Sequence, residues 1–210
     1  TAGLAAWWRL DDKEGLIAKD SSGHGFHGTL TNGPAWTNGV IGGALSFNGA
    51  SAFVRNAGNR FPAVTNAFTM MLWARPTAPR LAAPESNTDA TGTSAQRYAI
   101  YPSHGSAYGP GHVGAGLSIG NNGISVYEHT DGYMPALLVC PSAITGWVHV
   151  AVVYENSQPT LYTNGVLAKR GLKSTKIVHP GSTLGECGGA YGYYAGNLDD
   201  VRIYSRALPS

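Results

Sequence analysis

Turn-forming residues interrupt this chain so often that long helices cannot form, and this spacing constrains the fold more than any other feature. The 210 residues include 29 Gly and 12 Pro, and turn signals recur about every ten residues, as they do in β-sandwiches. No helical period of apolar residues survives beyond a turn or two. Charged residues make up only 12% of the chain, about half the usual share, whereas surface helices need many of them. The sequence therefore predicts an all-β fold.

Two long apolar runs indicate strands that are covered on both faces. Residues 67–74 and 146–154 contain almost no polar break, which is typical of central strands in a layered structure. Within the first run, one set of alternate residues can fill the space between two sheets while the other faces outward. The two sets are Phe68, Met70 and Leu72, and Thr69, Met71 and Trp73. We interpret both Trp73 and Trp147 as packing residues.

Asn-Gly pairs mark tight hairpins between predicted strands. In Asn48-Gly49 and Asn164-Gly165 both residues can adopt positive φ angles, which two-residue hairpin turns need. Residues 77–94 are rich in Pro, Ala, Thr and Ser and are predicted to form a long loop, too short to link two domains. We therefore predict one domain over residues 1–210, folded as a two-sheet antiparallel β-sandwich.

The charge and hydropathy of the chain exclude two classes of partner. The net charge is +2 at pH 7 with His neutral, and the basic residues are scattered, so we expect no nucleic-acid binding. No stretch of about 18 apolar residues occurs, so we expect no membrane insertion. The chain begins at Thr1 without a visible signal peptide, and we interpret it as a mature fragment or an excised domain.

The chain has two cysteines, Cys140 and Cys187, and each precedes a predicted turn. A disulfide between them would suit an oxidising compartment. Two buried free thiols are the alternative. A zinc site is poorly supported, because no second pair of ligands has finger-like spacing.

Five segments, read in order, are more informative together than any one alone. They are DSSGHGFHGTL at 20–30, IGGALSFNG at 41–49, FTMMLWARP at 68–76, GWVHVAVVY at 146–154 followed by LYTNGV at 161–166, and GNLDDVRIYSRAL at 196–208. In this order they resemble the laminin-G-like, concanavalin A-like lectin and glucanase family over nearly the whole chain. The resemblance implies a jelly-roll β-sandwich from a secreted or cell-surface multidomain protein. It does not fix the function, because this fold serves lectins, glycosidases and adhesion modules alike.

A glycine-rich loop and two adjacent acids form a candidate calcium site. Calcium takes six to eight oxygen ligands, and the loop that begins at Asp20 could supply carbonyls to an ion beside Asp199 or Asp200. The family resemblance implies a structural Ca2+ where the first loop meets the last strand. The implied ligands are Asp20, Asp199 and groups of the loop from Ser22 to His27. The alternative is that Asp20 caps its own turn while the adjacent acids pair with a nearby arginine.

Between residues 97 and 133 the chain is unusually rich in Tyr and His. Sugars present an apolar C–H face and hydroxyl groups, and the rings of these residues can stack on the face while their edges form hydrogen bonds. We therefore predict a glycan-binding site. Its predicted residues are Arg97, Tyr101, His104, Tyr108, His112, Tyr127, His129 and Tyr133.

Strand parity groups some of these side chains on one face. Ser125, Tyr127 and His129 alternate along one predicted strand and must share a face, whereas Glu128 points the other way. A polar and aromatic face of this kind predicts an open groove. Residues 191–194 contain three more tyrosines before the last strand. The alternative is that these tyrosines pack at sheet edges with their hydroxyls in water.

The carboxylates of the chain do not indicate a glycosidase. Retaining glycosidases need two carboxyl groups about 5–5.5 Å apart, and the acidic patterns that provide them on a strand of this fold are absent. Glu128 and Asp131 are the closest pair that could serve. We predict a non-catalytic carbohydrate-binding domain, extracellular, monomeric and attached to other domains. The alternatives are a protein-interaction or adhesion domain, or a glycoside hydrolase or lyase of the same fold.

Overall fold

The structure, a computed structural model, describes residues 2–56, 61–186 and 191–209. Over these ranges the chain forms strands and a short 3-10 helix at Gly105–Ala107. The strands are β1 (Leu4–Trp8), β2 (Ile17–Ala18), β3 (Gly28–Thr31), β4 (Ala35–Asn38), β5 (Gly43–Asn48), β6 (Phe53–Arg55), β7 (Phe68–Pro76), β8 (Tyr98–Ile100), β9 (His112–Gly120), β10 (Gly123–His129), β11 (Ala136–Pro141), β12 (Val148–Glu155), β13 (Gln158–Thr163), β14 (Val166–Arg170), β15 (Ile177–Pro180) and β16 (Ala195–Tyr204). No helix in these ranges is long and apolar enough to span a membrane.

The two apolar runs form neighbouring strands of the largest sheet, as predicted. This eight-stranded sheet has the order β14-β13-β12-β7-β16-β5-β4, and β1 pairs with β16. The alternate residues Phe68, Met70 and Leu72 of β7 are fully buried. The interpretation of Trp73 and Trp147 as core residues is wrong, because both are half-buried. Trp73 lies on the outward face of β7, edge-on to the His149 ring at 5.2 Å between centroids.

The second sheet has five strands, in the order β11-β10-β9-β15 with β8 also paired to β9. A third sheet of three short strands, β2-β3-β6, completes the layer. The predicted all-β sandwich is confirmed, with one departure from the antiparallel pattern. Strand β15 runs parallel to β9, which is possible because the chain crosses to the large sheet between the two strands.

The hydrophobic core fills the space between the eight-stranded and five-stranded sheets. Apolar side chains of β7, β12 and β16 meet those of β9, β10 and β11 in one buried cluster. Cys140 is half-buried at its edge. Cys187 lies outside the described residues, so the disulfide between the two stays a prediction.

The opposite face of the five-stranded sheet is covered by residues 77–96, which we call the cap segment. This segment contains the predicted long loop. A second, smaller hydrophobic cluster forms beneath it, composed of Tyr98, Tyr127, Met134, Ala136 and Val139, with Ala83 packed against them. Gly92 makes the close approach possible, because a Cβ there would lie 2.6 Å from the Tyr127 ring. The cap segment therefore decides which part of this face meets solvent.

Candidate functional site

The predicted binding face exists, but most of it is covered. Ser125, Tyr127 and His129 do share a face of β10, and Tyr127 pairs across to Gly116 of β9. Both Ser125 and Tyr127 are fully buried beneath the cap segment. The expectation that Tyr127 lines an open groove is therefore wrong, because a long segment distant in sequence covers this end of the strand.

Two further predicted residues have structural roles instead. Tyr133 is 8% exposed, and its hydroxyl donates to the buried Glu128 carboxylate at 3.2 Å. Arg97 donates to backbone carbonyls of Pro79, Gly49 and Tyr193 at 3.1–3.3 Å. These bonds tie the cap segment to two neighbouring loops and use Nε and Nη1 of the half-buried Arg97. That Arg97 contacts a ligand stays a prediction.

Beyond the cap segment, five side chains converge around the last residue of β10, His129. We call them the tyrosine–histidine patch: Tyr101, His104, His129, Asp131 and Tyr191. The expectation that His129 lies on an open face is wrong, because its side chain is buried, at 8% exposure. The Tyr101 hydroxyl lies 2.9 Å from His129 Nδ1, and the His129 ring centroid lies 4.5 Å from that of His104 and 6.1 Å from that of Tyr191. His104 Nε2 lies 3.1 Å from an Asp131 carboxylate oxygen. The patch combines ring faces with polar edges, which is the surface that a sugar needs.

Burial sets the charge state of His129. Burial, followed by the proximity of His104, lowers the pKa of His129 to about 4, so its ring is neutral at pH 7. Nδ1 also lies 3.1 Å from the Pro102 carbonyl oxygen. Because a carbonyl can only accept, Nδ1 must carry the proton and Nε2 is left as an acceptor. Asp131, at 84% side-chain exposure, supplies a carboxylate at the rim.

Glycines of β9 position the loop that carries Tyr101 and His104. A Cβ at Gly114 would clash with the Ser103 carbonyl, and one at Gly116 would clash with Pro102. Because these positions have no side chain, the loop lies directly on the sheet and holds His104 against His129. The glycine-rich stretch of β9 thus has a packing role that strand parity alone did not reveal.

Tyr108 and His112 form a separate group around His179. The Tyr108 ring stacks on that of His179 at 3.8 Å between centroids, and His112 Nδ1 lies 2.8 Å from His179 Nε2. His179 is 1% exposed and was missed by sequence reasoning, because an isolated histidine in a short strand carries no signal. Strand pairing determines the position of His179, because His129 of β10 and His179 of β15 both pair with Gly114 of β9.

Two of the predicted calcium ligands, Asp20 and His27, are engaged in hydrogen bonds within the chain. Both Asp20 oxygens accept hydrogen bonds, from the backbone N–H groups of Trp7, Ser22 and Phe26 at 2.9 Å and from the Ser22 hydroxyl at 2.7 Å. Burial would raise the pKa of Asp20, but these bonds outweigh it and hold the pKa below its ordinary value. His27 Nδ1 accepts the backbone N–H of Asp20. A cation at Asp20 would therefore meet N–H and O–H donors rather than free oxygens.

Asp199 serves a different loop from Asp20. One carboxylate oxygen accepts the N–H groups of Val40 and Ile41 at 2.8 and 2.9 Å, and Asp200 pairs with Arg202 at 2.9 Å. Within residues 2–56, 61–186 and 191–209, no group of three His, Cys, Asp or Glu side chains is placed to hold a metal ion. The other Asp199 oxygen, Oδ1, is buried and has no hydrogen-bond partner. Asp20 and His27 thus do not fit the implied Ca2+ set, and the turn-capping alternative describes Asp20, whereas a Ca2+ contact of Asp199 stays a prediction.

We expect the melting temperature to change by less than about 1 °C when a calcium chelator is added. Asp20→Ala should lower the free energy of unfolding by about 2–4 kcal/mol, because four donors lose their acceptor. Differential scanning calorimetry with and without chelator measures both effects. A fall of several degrees on chelation alone would show that calcium stabilises this fold through ligands outside the predicted set.

Glu128 and Asp131, the two acids that the sequence offered as a catalytic pair, lie in different environments, one in the core and one at the surface. Glu128 is fully buried in the core, where it accepts hydrogen bonds from Ser174 at 2.6 Å and Tyr154 at 3.1 Å. Asp131 lies at the surface. A substrate that reaches Asp131 cannot touch Glu128, so this pair cannot act together on a glycosidic bond.

The cap segment also covers several polar atoms that lack partners. Arg80 is 3% exposed, and its Nε and Nη1 atoms have no hydrogen bond; nor do the buried hydroxyls of Ser125, Tyr127 and Thr91. Burial raises the pKa of Tyr127 to about 12, although the nearby Arg80 and the Ser125 hydroxyl oppose the shift. The Ser125 and Tyr127 oxygens do not form a hydrogen bond of normal geometry. Each buried polar group without a partner costs about 1–3 kcal/mol. Beside the small hydrophobic cluster, the covered face therefore contains several unsatisfied polar atoms.

Residues 46–210 match the profile of Laminin_G_3, described as the concanavalin A-like lectin/glucanases superfamily. No curated protein sequence is significantly similar to this chain. Among solved structures, domain 4 of AbnA, a GH43 extracellular arabinanase from Geobacillus stearothermophilus in complex with arabinotriose, matches with a TM-score of 0.64 and 20% identity over 99% of this chain and 95% of that one.

Two other solved structures are larger proteins. Trypanosoma rangeli sialidase matches with a TM-score of 0.62 and 18% identity over 100% of this chain, which spans 31% of the sialidase. The binding domain of Botulinum neurotoxin DC in complex with SialylT matches with a TM-score of 0.59 and 13% identity over 97% of this chain and 47% of that one. At these identities the matches show the shared fold.

Proposed function

Because this chain belongs to the concanavalin A-like lectin/glucanases superfamily, we propose that it is a carbohydrate-binding domain whose ligand contacts the tyrosine–histidine patch. The patch is the observation that carries the proposal, because it is the place where the structure brings predicted ring residues together at the surface. Tyr101 and Tyr191 are half-buried, and the side chain of His104 is 36% exposed to solvent. Planar rings held in place by packing lose little entropy when they bind a sugar.

The proposed role is binding without hydrolysis, in an extracellular protein with further domains. Glu128 cannot pair with Asp131 on a substrate, which removes the carboxylate pair that the sequence offered. The similarity to an arabinanase domain in complex with arabinotriose supports a glycan ligand and an extracellular setting.

We expect His104→Ala to weaken glycan binding by about tenfold, which corresponds to about 1.4 kcal/mol. The reason is that His104 provides both an exposed ring and the partner that orients Asp131. His24→Ala is the matched control, because His24 is an exposed histidine outside the patch, and it should bind like the wild type. Isothermal titration calorimetry with ligands from a glycan array, beginning with arabinotriose, measures the affinities.

Two results would contradict the proposal. One is that the purified chain binds no glycan on the array but forms a persistent complex with a protein. The other is that His104→Ala and His24→Ala bind the same glycan equally well, which would place the site elsewhere on the molecule.

A further inference from the structure

A cavity of about 360 Å³ opens at one edge of the eight-stranded sheet, beside the half-buried Trp36 of β4. Pockets that hold small ligands have volumes of about 300–1,000 Å³, so this one has room for a sugar ring. We call it the Trp36 cavity, and its lining residues are Lys13, Trp36, Thr37, Asn38, Gly42 and Gly43. It includes no residue of the tyrosine–histidine patch, whose His129 belongs to the five-stranded sheet.

The Trp36 ring is held in place from two directions. Part of it packs against the hydrophobic core, and its indole N–H donates to the Gly15 carbonyl at 3.0 Å. The rest of the side chain lines the cavity. A fixed, flat ring loses little entropy when a ligand stacks on it, and its apolar surface matches the C–H face of a sugar.

Three polar side chains of the cavity keep their hydrogen-bonding groups available. Within the described part of the chain, the Thr37 hydroxyl, the Asn38 amide and the Lys13 ammonium make no hydrogen bond or ion pair. The two acids that precede Lys13 already pair with other cations, Arg9 at 3.0 Å and Lys19 at 3.4 Å. Hydroxyl, amide and ammonium groups together provide both the donors and the acceptors that sugar hydroxyls need.

Strand β4 also contributes backbone groups, because it is the last strand of the sheet. Alternate residues of such a strand direct their N–H and C=O groups away from the neighbouring strand. Asn38 is one of them, since the N–H of its partner Gly43 donates to Asp11 rather than to Asn38. A ligand in the cavity can therefore bond to the main chain of Asn38 as well as to its side chain.

We propose that the Trp36 cavity is a second glycan-binding site, which holds one neutral sugar residue. The apolar face of the sugar lies on Trp36, and its hydroxyl groups bond to Asn38, Thr37 and Lys13. The inference goes beyond the proposed function, because it gives the domain two sites on different sheets. Two sites let one domain contact two chains of a polysaccharide at once, so that their affinities combine.

The test follows individual side chains by nuclear magnetic resonance while neutral trisaccharides are added to the full chain. The probes are arabinotriose, xylotriose, cellotriose and maltotriose. At least one of them should shift the signals of the Trp36 indole N–H and the Asn38 amide saturably, in the wild type and in His104→Ala alike.

Asn38→Ala should weaken binding at the Trp36 cavity by about tenfold, because an amide that can bond to two neighbouring hydroxyls is lost. The affinity is measured from the shift of the Trp36 indole signal. Asn121→Ala is the matched control, because Asn121, like Asn38, is an exposed asparagine and lies outside both sites. It should bind like the wild type.

The location of the shifts separates this inference from the proposed function. Shifts confined to the tyrosine–histidine patch would overturn the second site and leave the proposed function intact. Shifts confined to the Trp36 cavity would support the second site and overturn the assignment of the patch. If the Trp36 indole shows no saturable shift with any probe, or if Asn38→Ala and Asn121→Ala bind equally well at the cavity, the inference is wrong.

Discussion

Trp8→Ala should lower the free energy of unfolding by about 4 kcal/mol, the largest effect that we expect from a single substitution in this chain. Trp8 is fully buried and pairs with Val201 of β16, which ties β1 to the large sheet. Its indole N–H also donates to the Phe26 carbonyl at 2.7 Å. Truncation leaves a large cavity and removes this hydrogen bond, and it loosens the loop between β2 and β3.

Trp36→Ala is the matched control for this substitution. Trp36 is half-buried, and its indole N–H likewise donates to a backbone carbonyl, that of Gly15 at 3.0 Å. It should cost about 1–2 kcal/mol, because less apolar surface returns to water. Urea denaturation followed by circular dichroism gives both values. Equal losses for the two variants would mean that Trp8 does not anchor the core as its burial indicates.

Ionisation of Glu128 should destabilise the fold by about 3 kcal/mol as the pH rises from about 4.5 to about 7. Burial raises the pKa of Glu128 from 4.5 to about 7, although hydrogen bonds from Ser174, Tyr154 and Tyr133 oppose the shift. The folded chain therefore holds this proton over a pH range in which the unfolded chain has lost it. The stabilisation is complete below the unfolded pKa and is lost as the pH passes through the folded pKa.

Glu128→Gln isolates this effect from the histidines, which act in the opposite direction. Burial lowers the pKa of His129 to about 4, with His104 adding to the shift. Its contribution is present above the ordinary histidine pKa and is lost as the pH falls. The difference in unfolding free energy between Glu128→Gln and the wild type removes this histidine effect. That difference should increase by about 3 kcal/mol between pH 4.5 and pH 7.

Glu155→Gln serves as the control, because Glu155 is exposed. The difference in unfolding free energy between Glu155→Gln and the wild type should not change with pH. Urea denaturation at a series of pH values measures both differences. If the difference in unfolding free energy between Glu128→Gln and the wild type also does not change with pH, the Glu128 carboxylate is well solvated in the folded chain.

Local rules predicted much of this structure. The apolar runs at 67–74 and 146–154 became β7 and β12, and Asn164-Gly165 joins β13 to β14. These outcomes depend on backbone geometry within a few residues, where alternation and turn chemistry act directly. The hairpin predicted at Asn48-Gly49 is wrong, because β5 pairs with β4 and β16 whereas β6 pairs with β3 in another sheet. Parity likewise placed Glu128 opposite Tyr127. The resemblance to the laminin-G-like family predicted the fold correctly but implied calcium ligands that the loop uses for its own backbone.

By itself the sequence determined the strands, the β-sandwich and the side chains that share a face, because alternation and turn chemistry act between near neighbours. Only the tertiary structure decided how that shared face is covered. The cap segment packs on the sheet through Gly92 and buries Tyr127 and Ser125, while the buried His129 at the end of β10 lies beside the half-buried His104. Coverage by residues distant along the chain leaves no periodic signal in the strand that is covered. The physical reason is that strand parity orients a side chain, whereas its exposure depends on what packs above it.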